Sequence, residues 1–160
     1  MAMVLPPRAD NFCFACGGGN ARGMHLTFEQ DDETKRIRGL FRIPSDFQGG
    51  SGFVHGGIIA TLLDEVMAKV SRFAKDHAVT AKLNVEYLRP VPVDMDLTVE
   101  GWELERNGRD RFRQGEIRNA AGVVLARGTG HFIEITRERL QESIASAKVG
   151  QQGGDDGRQG

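Results

Sequence analysis

No apolar run in this sequence approaches the roughly 18 residues of a membrane span, so no transmembrane helix and no membrane partner are expected. The opening residues 1–8 have neither a basic flank nor an apolar core, and no secretory signal is read in them. Excess charge of one sign is lacking too. Lys and Arg number 21 against 22 Asp and Glu, and a net charge of -1 argues against nucleic-acid binding driven by bulk charge. A soluble cytoplasmic protein is the expectation. Cysteine is scarce, with Cys13 and Cys16 the only two. Their C-x-x-C spacing invites a zinc or redox reading, but zinc wants four ligands and only His25 stands nearby as a third. The βαβ pattern of a thioredoxin-like site is absent. The pair reads as reduced thiols in a compact turn, with no metal or cofactor expected.

What is present is a glycine-rich loop, Gln48-Gly49-Gly50-Ser51-Gly52, leading through His55-Gly56-Gly57 into the one long helical pattern, which runs to about Lys75. Apolar residues at 58, 59, 62, 63, 66, 67, 70 and 73 keep the spacing of one helix face. Glu65, Lys69 and Arg72 form a charged strip, read as a solvated edge. Ala60, Asp64, Ala68 and Ser71 form another strip, small and flat, with one carboxylate in it. A face made for water carries longer charged side chains, so a second packing surface around Asp64 is expected. The plainer reading is a small-residue contact in which Asp64 finds a hydrogen bond. A helix N-terminus presents free N–H groups, and glycine lets a ligand oxygen reach them without meeting a Cβ. An oxyanion hole needs such donors, although glycines serve ordinary tight turns as well.

Along the chain, residues 1–24 read as an irregular lead-in. Leu26 and Phe28 open a short strand, which turns at 31–34 into a second over 36–43. After the helix the period changes to two. Val79, Ala81, Leu83, Val85 and Tyr87 are read on one face, with Thr80, Lys82, Asn84 and Glu86 on the other. Strands over 97–104 and 111–118 flank Asn107-Gly108, a strong hairpin signal, and 123–135 follows. One long helix among five to six antiparallel strands makes a single α+β domain over 25–136. A short helix and a disordered glycine-rich tail are expected over 137–160.

Four pieces together resemble one family. They are His55-Gly56-Gly57 with Asp64 nine residues after the histidine; Phe47-Gln48-Gly49 before it; residues 79–90 after the helix; and Cys13-Phe14-Ala15-Cys16-Gly17 with Gly23-Met24-His25-Leu26 near the start. The combination is similar to the hotdog-fold acyl-CoA thioesterases of the PaaI type, the phenylacetate-pathway branch, over roughly residues 10 to 135. The resemblance implies the hotdog fold, an antiparallel sheet wrapped around one long helix. It also implies an acyl-CoA substrate, hydrolysed to free acid and coenzyme A, and self-association as a homodimer or dimer of dimers.

The resemblance implies roles as well. Asp64 activates water or attacks the thioester carbonyl, the Gly56 N–H polarises that carbonyl with His55 in support, and Thr80 orients the water. Gly57 lies beside them as a substrate contact. Many relatives carry Asn or Gln six residues before the histidine; that position here is Gly49, which leaves Gln48 as the candidate substitute. Arg109 and Arg111 on the hairpin, and Arg89 at a strand end, are candidates to hold coenzyme A phosphates, against the ordinary reading of a solvated strand face. Two other functions compete. A non-catalytic acyl-CoA-binding module would need no carboxylate beside the thioester, and a hotdog hydratase would carry a His followed by Gly-x-Pro, which is missing.

Overall fold

The computed structural model describes residues 2–149. The strands are β1 Met3–Leu5, β2 Phe28–Asp31, β3 Arg36–Arg42, β4 Ala78–Tyr87, β5 Asp96–Asn107, β6 Asp110–Asn119 and β7 Val124–Glu134. They form one sheet of seven strands in the order β1-β2-β3-β5-β6-β7-β4, with every neighbouring pair antiparallel. The count exceeds the expected five to six because residues 3–5, read as irregular, pair with β2 at Met3↔Gln30 and Leu5↔Phe28. The tail expected to be disordered lies, from residue 150 onward, outside the described residues. Among those described, no helix is long and apolar enough to cross a membrane.

Helix α1, Gly56–Ala68, buries Ile59, Leu62, Leu63, Val66 and Met67 against the inner face of the sheet. It can lie close because Gly101, Gly115 and Gly128 are register neighbours on β5, β6 and β7. A Cβ on Gly101 would stand 2.9 Å from the Val66 carbonyl oxygen, and one on Gly115 or Gly128 would stand 3.3 Å from Leu63. The sheet therefore wraps the helix across a row of three missing side chains.

The helical pattern does not run unbroken to Lys75. α1 ends at Ala68, and a single turn, α2 Ser71–Ala74, follows before Lys75 takes a left-handed φ of 56°. Arg113 of β6 accounts for the break. Fully buried, it donates from Nη1 to the Met67 and Ala68 carbonyls at 3.0 and 3.4 Å, and from Nη2 to Ser71 Oγ at 2.9 Å. The Met67 carbonyl also accepts the Val70 N–H at 3.2 Å, and a cation there meets the negative end of the helix dipole. Burial pulls the Arg113 guanidinium below its ordinary pKa, with Glu103 opposing at 3.7 Å. Beyond the sheet, α3 Arg137–Lys148 begins at Thr136, whose hydroxyl accepts from the Arg139 N–H.

Candidate active site

His55 is the last extended residue before α1 (φ -60°, ψ 136°) and caps it. Its Nδ1 accepts the Gly57 N–H at 2.9 Å, and its carbonyl accepts from Ile58 and Ile59 at 2.9 and 3.1 Å. With Nδ1 as acceptor, the neutral ring carries its proton on Nε2. Three of the four orphan donors of the first turn are thereby used. The fourth, the Gly56 N–H, has no protein partner among the described residues. Tyr87 of β4 covers that first turn, donating its hydroxyl to the Gly56 carbonyl at 3.0 Å.

Asp64 lies about two turns along the same helix. It is half-buried, and Thr80 Oγ1 donates to its Oδ1 at 2.7 Å. Burial pushes the Asp64 carboxyl above the ordinary carboxylate range, the Thr80 hydrogen bond opposes this, and the Glu65 charge adds to it. Thr80 reaches Asp64 through a bulge. The β4–β7 register slips between Thr80, opposite Phe132, and Lys82, opposite His131. Ala81 is the extra residue, and it turns Thr80 onto the face of Leu83. Strict alternation had put Thr80 on the face of Lys82 and Asn84, so the expected two-faced strand is corrected here.

A groove of 420 Å³ runs past these groups, lined among others by Cys13, Phe14, Gly57, Asp64, Thr80 and Leu83. The Ala60–Asp64 strip opens into it, on the side of α1 next to β4, and β4 is an edge strand with no further neighbour in this sheet.

Residues 51–126 match the Thioesterase superfamily. That match covers just under half of the chain. Among curated relatives, the acyl-coenzyme A thioesterase THEM4 of Rattus norvegicus is 34% identical over 107 residues, 66% of this chain and 46% of that protein. This chain thus spans about half the length of the curated relatives it matches. The solved structure of the thioesterase superfamily protein RHA08564 superposes with a TM-score of 0.72 at 31% identity, over 76% of this chain and 60% of that one. The PaaI protein of the E. coli phenylacetic acid degradation operon gives a TM-score of 0.60 over 64% of this chain and 74% of its own. At 20% identity it shows the shared hotdog fold alone.

Several other expected site residues sit differently from their sequence readings. Gly57 lines the groove, but its amide is committed to His55. Gln48 Oε1 accepts the Gly52 N–H at 3.2 Å, and Gly52, at φ +81°, occupies a backbone conformation that favours glycine. Gln48 thus shapes the loop. A Cβ at Gly49 would meet the His55 Cα at 3.2 Å, so a side chain there would press on the cap.

Arg111 is removed from the phosphate-binding set. It is 3% exposed, donates to Asp76 at 3.0 Å and to the Gly108 and Asp110 carbonyls, and pairs with Glu134. Arg111 and Arg113 do share a face, but that face points into the protein. Arg109 remains exposed, with Nε and Nη2 on the Glu134 carbonyl at 3.1 and 2.9 Å. Arg89 is exposed, and its guanidinium has no hydrogen bond or ion pair among the described residues.

The charged strip of α1 is not a solvated edge at Glu65 and Lys69, while Arg72 stays exposed. Glu65 and Lys69 pair at 3.2 Å with side chains only 14% and 19% exposed. The N-terminal segment and β2 cover them: Cys13 Sγ donates toward Glu65 Oε2 at 3.8 Å, Lys69 Nζ lies 5.3 Å from the Phe28 ring centroid, and Arg72 donates to Gln30 at 3.1 Å. Beside them burial pushes the Cys16 thiol up to about 12, with Glu65 adding to the rise and Lys69 opposing it. That residues 13–15 line the groove has no counterpart in the sequence reading, since a C-x-x-C turn carries no signal of what it packs against.

Proposed function

We propose that the chain hydrolyses acyl-CoA thioesters to the free acid and coenzyme A. The observation that carries this reading is one helix bearing both an unpartnered Gly56 N–H at its positive end and a half-buried Asp64 held by Thr80. The thioester carbonyl oxygen accepts from the Gly56 N–H, which stabilises the charge that develops there. Asp64 takes a proton from water as the water oxygen attacks the carbonyl carbon, with Thr80 fixing the carboxylate. The tetrahedral intermediate collapses and the C–S bond breaks; coenzyme A leaves as a thiolate, which needs no strong general acid. His55 sets the first turn that presents the Gly56 amide, and Arg89, unpaired among the described residues, is a cation that can meet a coenzyme A phosphate. The acyl-coenzyme A thioesterase name of the THEM4 relatives supports the same substrate class.

One helix cannot complete the site alone. Gly56 and Asp64 are eight residues apart, about 12 Å at the helical rise, whereas the base must lie within about 3 Å of the water it activates. Two antiparallel copies related by a two-fold axis can bring each Asp64 to the other's Gly56, with the small Ala60–Asp64 strip and the free edge of β4 as the contact. The working unit is then a homodimer, or a dimer of dimers.

The test is thiol release from a panel of acyl-CoAs by the wild type and by Asp64→Ala. The wild type is expected to turn over at least one acyl class, and Asp64→Ala to lose 100-fold or more while keeping its fold and its acyl-CoA affinity. Acyl-CoA binding by the wild type without thiol release would favour a non-catalytic binding module.

A further inference from the structure

Cys13, Cys16 and Glu65 place three ligand atoms, two sulfurs and a carboxylate oxygen, all within 4.8 Å of one another. Two come from a turn closed by the Gly17 N–H on the Cys13 carbonyl at 2.9 Å, and the third from the middle of α1. Ligands about 2.3 Å (sulfur) and 2.1 Å (oxygen) from a tetrahedral zinc ion stand roughly 3.5–3.8 Å apart. Cys13 Sγ is already 3.8 Å from Glu65 Oε2, and a contraction of about 1 Å closes the set. The zinc reading of the sequence fell short of four ligands, with only His25 as a third candidate. His25 instead holds the Asn20 carbonyl at 2.6 Å, and Glu65, far away in sequence, takes the place beside the cysteines.

The surroundings are those of a ligand set held from outside. Asn11 Nδ2 donates to Cys16 Sγ at 3.6 Å, and Lys69 binds Glu65 through Oε1, leaving Oε2 toward the thiols. Two thiolates, the carboxylate, the Lys69 ammonium and one divalent cation sum to zero charge. That balance matters where Glu65 and Lys69 are this poorly exposed.

We propose that Cys13, Cys16 and Glu65 form a binding site for a thiophilic divalent cation of the zinc class. Thiolate ligands select such a cation over magnesium or calcium. The fourth position falls to water on the groove side, since Cys13 and Glu65 line the groove that contains Asp64. On binding, each thiol gives its proton to solvent as its sulfur joins the metal. The ion would pin the N-terminal segment, which contributes only Ala15, Cys16 and Leu26 to the fully buried core, onto α1. None of this depends on the thioesterase reading.

Cobalt titration of the reduced full-length chain tests the site. One Co2+ per chain is expected, with a thiolate-to-cobalt charge-transfer band and the visible bands of tetrahedral cobalt, both bleached by Zn2+. Cys13→Ser, at a half-exposed position that folding tolerates, is expected to abolish the charge-transfer band or to weaken binding more than 100-fold. Glu65→Gln should keep the band and weaken binding at least tenfold. A folded, reduced wild type that gives no band overturns the proposal. So does a band that persists unchanged in Cys13→Ser, or a Cys13–Cys16 disulfide that forms in the presence of excess Zn2+.

Discussion

At its C-terminal end α1 gives the Met67 and Ala68 carbonyls to a guanidinium removed from solvent, whereas at its N-terminal end the Gly56 N–H has no protein partner among the described residues. Arg113 sits among Ser71, Glu103 and the Phe132 ring, and its own Nε is the single hydrogen-bonding atom it leaves unpaired. The N-terminal end is built from glycines, a capping histidine and a tyrosine hydroxyl, all arranged around the open amide. A helix can be anchored at one end by satisfying its orphan groups and made reactive at the other by withholding that satisfaction. The carboxylate on the same helix follows the second pattern, being half-buried and raised in pKa.

Breaking the anchored end should cost the most. Arg113→Ala removes the cap from the helix end and from the Ser71 hydroxyl and empties the space of a fully buried side chain, and is expected to lower unfolding free energy by about 3 kcal/mol in urea titration. The fraction that remains folded should keep its turnover per site. Equal stability to the wild type would mean that α1 is anchored elsewhere.

Changes at the reactive end should be smaller in stability and visible in rate. Thr80→Val removes the hydrogen bond on Asp64 and should lower turnover about tenfold, roughly 1.4 kcal/mol of barrier. That bond lowers the Asp64 pKa, so its loss raises it further. Activity that needs ionised Asp64 rises with pH, and the acid limb of kcat/KM should therefore move to higher pH in Thr80→Val. A limb that stays in place would separate Thr80 from Asp64 ionisation.

The smallest effect concerns stability at Asp64 itself. Its folded pKa is raised, so ionisation opposes folding above the ordinary carboxylate pKa and has no effect below it. Asp64→Asn is expected to raise Tm slightly at pH 7, with the gain vanishing as pH falls through the carboxylate range. A lower Tm at pH 7 would show that the charge is compensated by a group not seen in the single chain.

Much of this was legible in the sequence. The period change after the helix marked the strands, and His55-Gly56-Gly57 with Asp64 marked the candidate site, because both are local patterns. What stayed hidden depends on register or on distant cover. The row Gly101, Gly115, Gly128 exists only once β5, β6 and β7 are aligned. The bulge at Ala81 depends on how β4 pairs with β7, and without it Thr80 faces away from Asp64. Arg111 and Arg113 stand two apart on one strand face, but that spacing does not say that the face is inside. Glu65 and Lys69 read as solvated because their cover comes from Cys13 and Phe28, far along the chain.

Mixing two variants that are each expected to be inactive measures most directly whether a site is completed between two copies of α1. Asp64→Ala lacks the carboxylate, and Gly56→Val obstructs the amide. A Cβ at Gly56 meets the Tyr87 ring only at 3.5 Å, so the second variant is expected to fold. Each alone should be inactive. Random pairing after joint unfolding and refolding makes half the dimers mixed, each with one intact site, so about a quarter of wild-type turnover should return. Mixed dimers that form yet stay inactive, while wild type recovers from the same treatment, would contradict the shared site.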